Sequence, residues 1–163
     1  MSINKIQTFT IDDFTENGEQ WAFIPDYPNY FVSNMGRVYT GYENRILKGD
    51  YTKKGYHRVP LKGADGVYKT IRVSHLVAAA FIPWYNPAKH KEIHHINNNE
   101  SDDRVINLLP VTQVQHWFIH NVLYKRLLKY PSLIIELFKR KRPDIHISIN
   151  IEADNDMQGG DAA

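Results

Sequence analysis

Two histidines, His94 and His95, stand side by side, and a third, His116, follows a polar loop and an Asn107-Leu108 pair. All lie within Glu92–His116. Imidazole changes charge near neutral pH and is also a common metal ligand. Two neutral imidazoles that leave positions open to water and phosphate make a catalytic metal site. A further histidine beside such a site can act as general base. Neighbours on a strand point to opposite faces, so His94 and His95 are expected to do different jobs. The same residues also suit an ordinary hydrogen-bonded histidine pair, and spacing alone leaves both readings open. His57, His90, His120 and His146 carry no spacing argument, except that His120 falls one helical turn after His116 and is the reserve ligand. The chain has no cysteine, which excludes disulfides and thiolate metal sites.

Such residues need elements to hold them. Ile93–Asn97 reads as a short strand running into the loop Asn98–Arg104, with Ile106–Leu109 as the returning strand. Thr112 and Gln115 form the Thr-x-x-Gln pattern of a capping box. A helix is therefore expected from Thr112 to about residue 130, with Val114, Phe118, Val122 and Leu123 on one flank. Histidines then sit on a strand and on a helix that faces it. Upstream, Tyr30–Ser33 and Arg37–Thr40 are β-prone runs around an Asn34-Met35-Gly36 turn, where Gly36 can take positive φ. Trp21, Phe23, Tyr27, Tyr30 and Phe31 read as the core of that small sheet. Arg45–Lys48, Tyr56–Leu61 and Val67–Val73 are further strands, the last two joined by the hairpin turn Ala64-Asp65-Gly66. Alternation along Tyr68–Val73 separates basic from apolar groups. Ser74 is expected to cap a helix ending before Pro83, and His75 reads as a structural, hydrogen-bonded histidine.

The remaining chain is less tied to the histidines. Pro131 suits the first turn of a helix over 131–141. The basic run Lys139–Arg142 serves equally as phosphate contact or as charge that complements a helix C-terminus. Ile145, Ile147, Ile149 and Ile151 alternate with polar residues as a half-buried strand does. The organisation expected is a flexible segment 1–20, a strand module 21–73, a histidine-bearing core 74–130, a helix and strand 131–152, and a disordered tail 153–163.

A net charge of +2 conceals segregation. Residues 1–36 sum to −4, residues 37–142 to +11 and residues 143–163 to −5. A basic middle suits a polyanion, because local potential outweighs the total. No apolar run approaches a membrane span, and the start lacks a secretory pattern, so a cytoplasmic protein is expected.

Glu92–His116 resembles the active-site motif of the HNH endonucleases, a ββα-metal fold, especially those of the phage homing type. The resemblance rests on His94-His95, the loop Asn97–Asp103, Asn107-Leu108, Val111-Thr112 and His116. It extends upstream through Trp21, Ile24, Tyr27, Tyr30 and Val32-Ser33-Asn34 to Gly36-Arg37-Val38. It continues through Gly55–Val59 and Val73–Ala78 to Phe81-Ile82-Pro83. The upstream part is similar to a module that often precedes this motif. The resemblance implies an α+β fold: a small antiparallel N-terminal sheet, a ββα-metal motif and C-terminal helices. It implies a metal-dependent endonuclease that leaves a 5′-phosphate and a 3′-hydroxyl. His95 would be the general base, and Asn107 the brace that orients it. His94 and His116 would bind one divalent cation. Mg²⁺ is the default ion, and the two imidazoles, where relatives often use Asp and Asn, also suit Mn²⁺, Ni²⁺ or Zn²⁺. The partner would be double-stranded DNA, met by Lys53, Lys54, Arg58, Lys69 and Arg72, with the protein a monomer or homodimer. The alternative from the same residues is a DNA-binding protein that keeps the scaffold without cutting.

Overall fold

The computed structural model describes residues 8, 9, 18–123 and 140. The chain divides into two units, Met1–Ile119 and His120–Ala163. The first unit carries the strands and the first helix. The isoleucine strand, the helix over 131–141 apart from Arg140, and the tail lie outside the described residues.

β-branched and aromatic residues dominate the early strands, as pleated half-buried surfaces favour. Strands β1 (Thr8–Phe9), β2 (Trp21–Phe23), β3 (Tyr30–Ser33), β4 (Val38–Thr40) and β5 (Arg45–Ile46) form an antiparallel sheet in sequence order. A second sheet joins β6 (Asp50–Tyr51), β7 (His57–Lys62) and β8 (Tyr68–Arg72). The upstream module is thus two small sheets where the sequence suggests one. Its ordered part also begins before Trp21: Glu19 is buried and takes a forked ion pair from Arg37, with Nε 2.9 Å from Oε1.

Between β3 and β4, Gly36 adopts φ +80°, as its place in the turn requires. The β2–β4 register sorts the aromatics. Ala22, Val32, Tyr30 and Val38 face the core, whereas Phe23 pairs with Phe31 on the other face, their rings 5.7 Å apart. Phe23 is exposed there, so it is not core. Trp21 on that same face is buried, with the Arg37 guanidinium 5.7 Å from its ring.

Helix α1 (Val73–Phe81) follows β8 without a loop. Its N-cap is Arg72, not Ser74, and no side chain caps it; Ser74 lies buried inside the first turn. The direct passage from strand to helix puts the extended N-cap residue two positions before Ser74. The end is as expected, with Ile82 as C-cap before Pro83. Val73, Leu76, Val77 and Ala78 pack with Val32, Val38, Val59, Leu61, Ile93 and Leu108 in one core.

A third, two-stranded sheet is the hairpin of β9 (Glu92–His95) and β10 (Leu108–Val111). The return strand starts later than expected, because Val105–Asn107 forms a 3₁₀ turn. Helix α2 (Gln113–Phe118) then opens on the expected capping box: Thr112 Oγ1 accepts from Gln115 N at 3.2 Å, and Gln115 Oε1 from Thr112 N at 3.0 Å. A π-helical turn occupies Ile119–Leu123. The expected apolar flank of α2 is not buried, since Val114 and Phe118 are both exposed. Its continuation toward residue 130 lies outside the described residues.

Candidate active site

Period-two geometry separates the histidine pair. His94 lies opposite Leu109 and His95 opposite Leu108 in the β9–β10 register. His94 turns toward α2, where its ring centroid is 5.7 Å from that of His116. One nitrogen of each ring lies within 4.8 Å of the other's. A metal–imidazole bond is about 2.0–2.1 Å long, so nitrogens this near one another are on the scale of a shared ion. His94 is buried at 1% exposure and His116 is half-buried, a pairing of one fixed and one adjustable donor. Two imidazoles with the remaining positions open fit a divalent cation, and they favour borderline ions over strictly oxygen-seeking ones. His120, the reserve ligand by spacing, opens the second unit.

His95 turns the other way. Its Nε2 is 3.1 Å from Asp103 Oδ1, and both side chains are buried. The Tyr56 ring lies 5.9 Å from the His95 ring, and Arg72 covers Tyr56 with its guanidinium 4.4 Å from the centroid. Burial raises the Tyr56 hydroxyl pKa, with the Glu100 charge adding to it. His57 Nδ1 approaches the second oxygen of Asp103 at 3.7 Å. The strand module thus reaches the histidine motif at His95, through Tyr56 and His57.

Asn107 knits the loop and does not hydrogen-bond the His95 ring. Its Oδ1 accepts from Asn97 N at 2.9 Å and its Nδ2 donates to Asp102 O at 2.8 Å, tying both ends of the loop. Asp102 receives Arg104 through Nε at 2.7 Å and Nη2 at 2.6 Å, and Asn97 Nδ2 at 2.8 Å. Those Arg104 hydrogen bonds, the largest influence, hold the Asp102 carboxyl below the ordinary carboxylate range. Asn107 thus ties the loop, and the side chain on His95 is that of Asp103. Asp103 carries no sequence signal: it is one polar residue in a polar loop, and only burial distinguishes it.

The expected DNA-contacting residues do not share one surface. Arg58 and Arg72 are directly opposite on β7 and β8, so they share a face. Lys69 lies opposite Leu61 on the other face, so the alternation along β8 does not separate basic from apolar groups. Arg58 is forked onto Asp50 at 3.0 and 2.8 Å, Lys69 is 3.9 Å from Asp65, and Arg72 is 3.9 Å from Glu92. Lys53 and Lys54 are exposed at the β6–β7 turn, which closes with Gly55 N 2.9 Å from Thr52 O. That turn abuts the histidine-motif loop, since a Cβ on Gly55 would stand 3.6 Å from Glu100 Cβ.

Comparison with known proteins gives this geometry its relatives. Residues 19–62 match the NUMOD4 motif. The chain is 36% identical over 96 residues to the DNA endonuclease I-HmuI of Bacillus phage SP01, covering 58% of this chain and 53% of that protein. The chain is a relative of the HNH endonucleases. It is also 32% identical over 119 residues to an uncharacterized HNH endonuclease, L247, of Acanthamoeba polyphaga mimivirus, covering 70% of this chain and 30% of that one. With the H-N-H endonuclease F-TflII of Escherichia phage T5 it shares 28% identity over 98 residues, 60% of this chain and 50% of that one. Among solved structures, that of the HNH homing endonuclease I-HmuI, which describes DNA binding and cleavage, is similar at TM-score 0.55 and 28% identity, covering 76% of this chain and 66% of that chain. The chain thus spans about half or less of the curated relatives it matches. Its mixed α+β architecture of small antiparallel sheets agrees with the expectation. No helix among the described residues is long and apolar enough to cross a membrane.

Proposed function

We propose that this chain is a metal-dependent DNA endonuclease of the HNH homing type, acting on double-stranded DNA. The observation that carries the reading is the division of the histidine pair. His94 meets His116 on one side of β9, while His95 meets a buried carboxylate on the other. Both leave the strand at its last two positions, so a phosphate lying across the end of β9 is within reach of both sides.

His95 removes a proton from water, and the resulting hydroxide attacks phosphorus. The bond from phosphorus to the 3′ oxygen breaks, leaving a 5′-phosphate and, after protonation, a 3′-hydroxyl. His94 and His116 would hold a divalent cation, which would supply positive charge against that developing on the phosphate and leaving oxygen. Mg²⁺ is the default, with Mn²⁺, Ni²⁺ and Zn²⁺ suited to the imidazole donors. Asn107 keeps the loop closed around the site, and Lys53, Lys54, Arg58, Lys69 and Arg72 are the proposed DNA contacts.

Supercoiled plasmid incubated with each of the four ions tests the proposal. Wild-type protein is expected to nick or linearise it, and His95→Ala to cut at least about 100-fold more slowly, as loss of a general base implies. Undiminished cutting by His95→Ala would sink the assignment of the base. Salt-sensitive binding without cleavage under any ion would favour the non-cleaving alternative.

A further inference from the structure

We infer that Asp103 is a positioning residue for His95, and that the segment matching NUMOD4 holds Asp103 in place. The inference rests on His95 being the base. Asp103 is 4% exposed and its Oδ1 is 3.1 Å from His95 Nε2. A carboxylate only accepts hydrogen bonds, so this contact keeps the ring proton on Nε2. Nδ1 then carries the lone pair, and a base needs a lone pair on the edge that meets water. The partner on the far nitrogen decides both tautomer and ring direction.

Three contacts from the upstream module surround Asp103. Gly36, at φ +80°, packs so tightly on Asp103 that an added Cβ would stand 2.9 Å from its Cβ and 3.0 Å from its carbonyl carbon. The same turn accepts a hydrogen bond at Asn34 O from Val105 N at 2.8 Å, anchoring the loop just beyond Asp103. From β7, His57 Nδ1 faces Asp103 Oδ2 at 3.7 Å, and that buried oxygen has no hydrogen-bond partner among the described residues. The His57 ring is itself held, with Nε2 2.9 Å from Lys48 O and the ring stacked 4.8 Å from Tyr51. Gly36, Asn34 and His57 all lie inside residues 19–62. The module is therefore part of the apparatus that orients the base.

The test uses the full chain with ¹⁵N-labelled histidine, at a pH where His95 is neutral and without added metal. The His95 ring shifts report the tautomer, and His95→Ala assigns them. Wild type is expected to show the proton on Nε2. Asp103→Asn is expected to lose that single tautomer and, on plasmid with metal, to lower kcat about 10–100-fold with KM unchanged. Gly36→Ala is expected to shift the same signals in the same direction. Should Asp103→Asn fail to fold by thermal melt, Gly36→Ala and His57→Gln decide the matter by the same two readouts. Folded Asp103→Asn with wild-type tautomer and kcat overturns the inference. So does a loss of kcat with the tautomer unchanged, which would mark a structural role only. If wild type cuts nothing with any ion, the nuclease reading fails, while the ring shifts still decide the Asp103–His95 contact.

Discussion

His94 and His116 are held differently, and their replacement should have different consequences. His94 is buried on a strand, so truncation to Ala leaves a cavity as well as a missing donor. His116 is half-buried on the outer helix. Both His94→Ala and His116→Ala are expected to abolish the rise in melting temperature that added Zn²⁺ or Mn²⁺ produces in wild type. Without metal, His94→Ala should melt earlier than wild type by about 1–3 kcal/mol, and His116→Ala should stay within about 0.5 kcal/mol. Differential scanning fluorimetry with each ion and with chelator measures both effects. His75 offers a pH signature away from the site. Its Nδ1 is 3.0 Å from the Tyr85 hydroxyl, with which it shares a hydrogen bond. Burial, the largest cause, and the Arg72 charge hold its pKa below the ordinary 6.5. As pH falls, the unfolded chain takes up this proton before the folded one. The stabilisation is therefore full above about pH 6.5 and is lost toward the lower folded value. Melting temperature should fall as pH drops below about 6.5, and less steeply in His75→Gln.

Among the elements, α2 carries His116 with little tertiary support, since none of its residues is buried. Its six residues are too few for stable helix in isolation, so the capping box matters more here than on a well-packed helix. Thr112→Ala is expected to cost about 1 kcal/mol and to raise amide exchange across 113–118, measured by hydrogen–deuterium exchange. Affinity for the ion should fall with it. This cap was legible in the sequence, because Thr-x-x-Gln states its own chemistry. So were the β3–β4 turn at Gly36 and the opposite facing of His94 and His95, since each follows from local geometry. Ser74 misled for the converse reason: a cap residue was present, but the preceding strand fed straight into the helix. Asp103 and His57 were beyond reach of pattern. Their role depends on a contact between β7 and a loop some 46 residues on, and no period or spacing records such a contact.

At the scale of the whole molecule, the net +11 over residues 37–142 overstates the charge free to meet DNA. Arg37, Arg45, Arg58, Lys69, Arg72 and Arg104 each sit against an acid, as Glu19, Glu43, Asp50, Asp65, Glu92 and Asp102 respectively. An arginine already forked onto a carboxylate adds little net potential, and drawing it to a phosphate means giving up that pair. Lys53 and Lys54 carry no ion pair among the described residues, and their turn abuts the loop bearing Asp103. Phosphate contact should therefore fall more on the two lysines than on Arg58. The slope of log affinity against log salt is about −0.9 per neutralised phosphate. Lys53→Ala/Lys54→Ala is expected to make that slope shallower by about 1.8 on duplex DNA, and Arg58→Ala by less than about 0.9. Fluorescence anisotropy with a labelled duplex, taken over a salt series with Ca²⁺ in place of the active ion, measures the slopes. Equal slopes for wild type and the double lysine variant would move the DNA off this turn. A larger change in Arg58→Ala would show that DNA displaces Asp50, and that the Arg58–Arg72 face is the track.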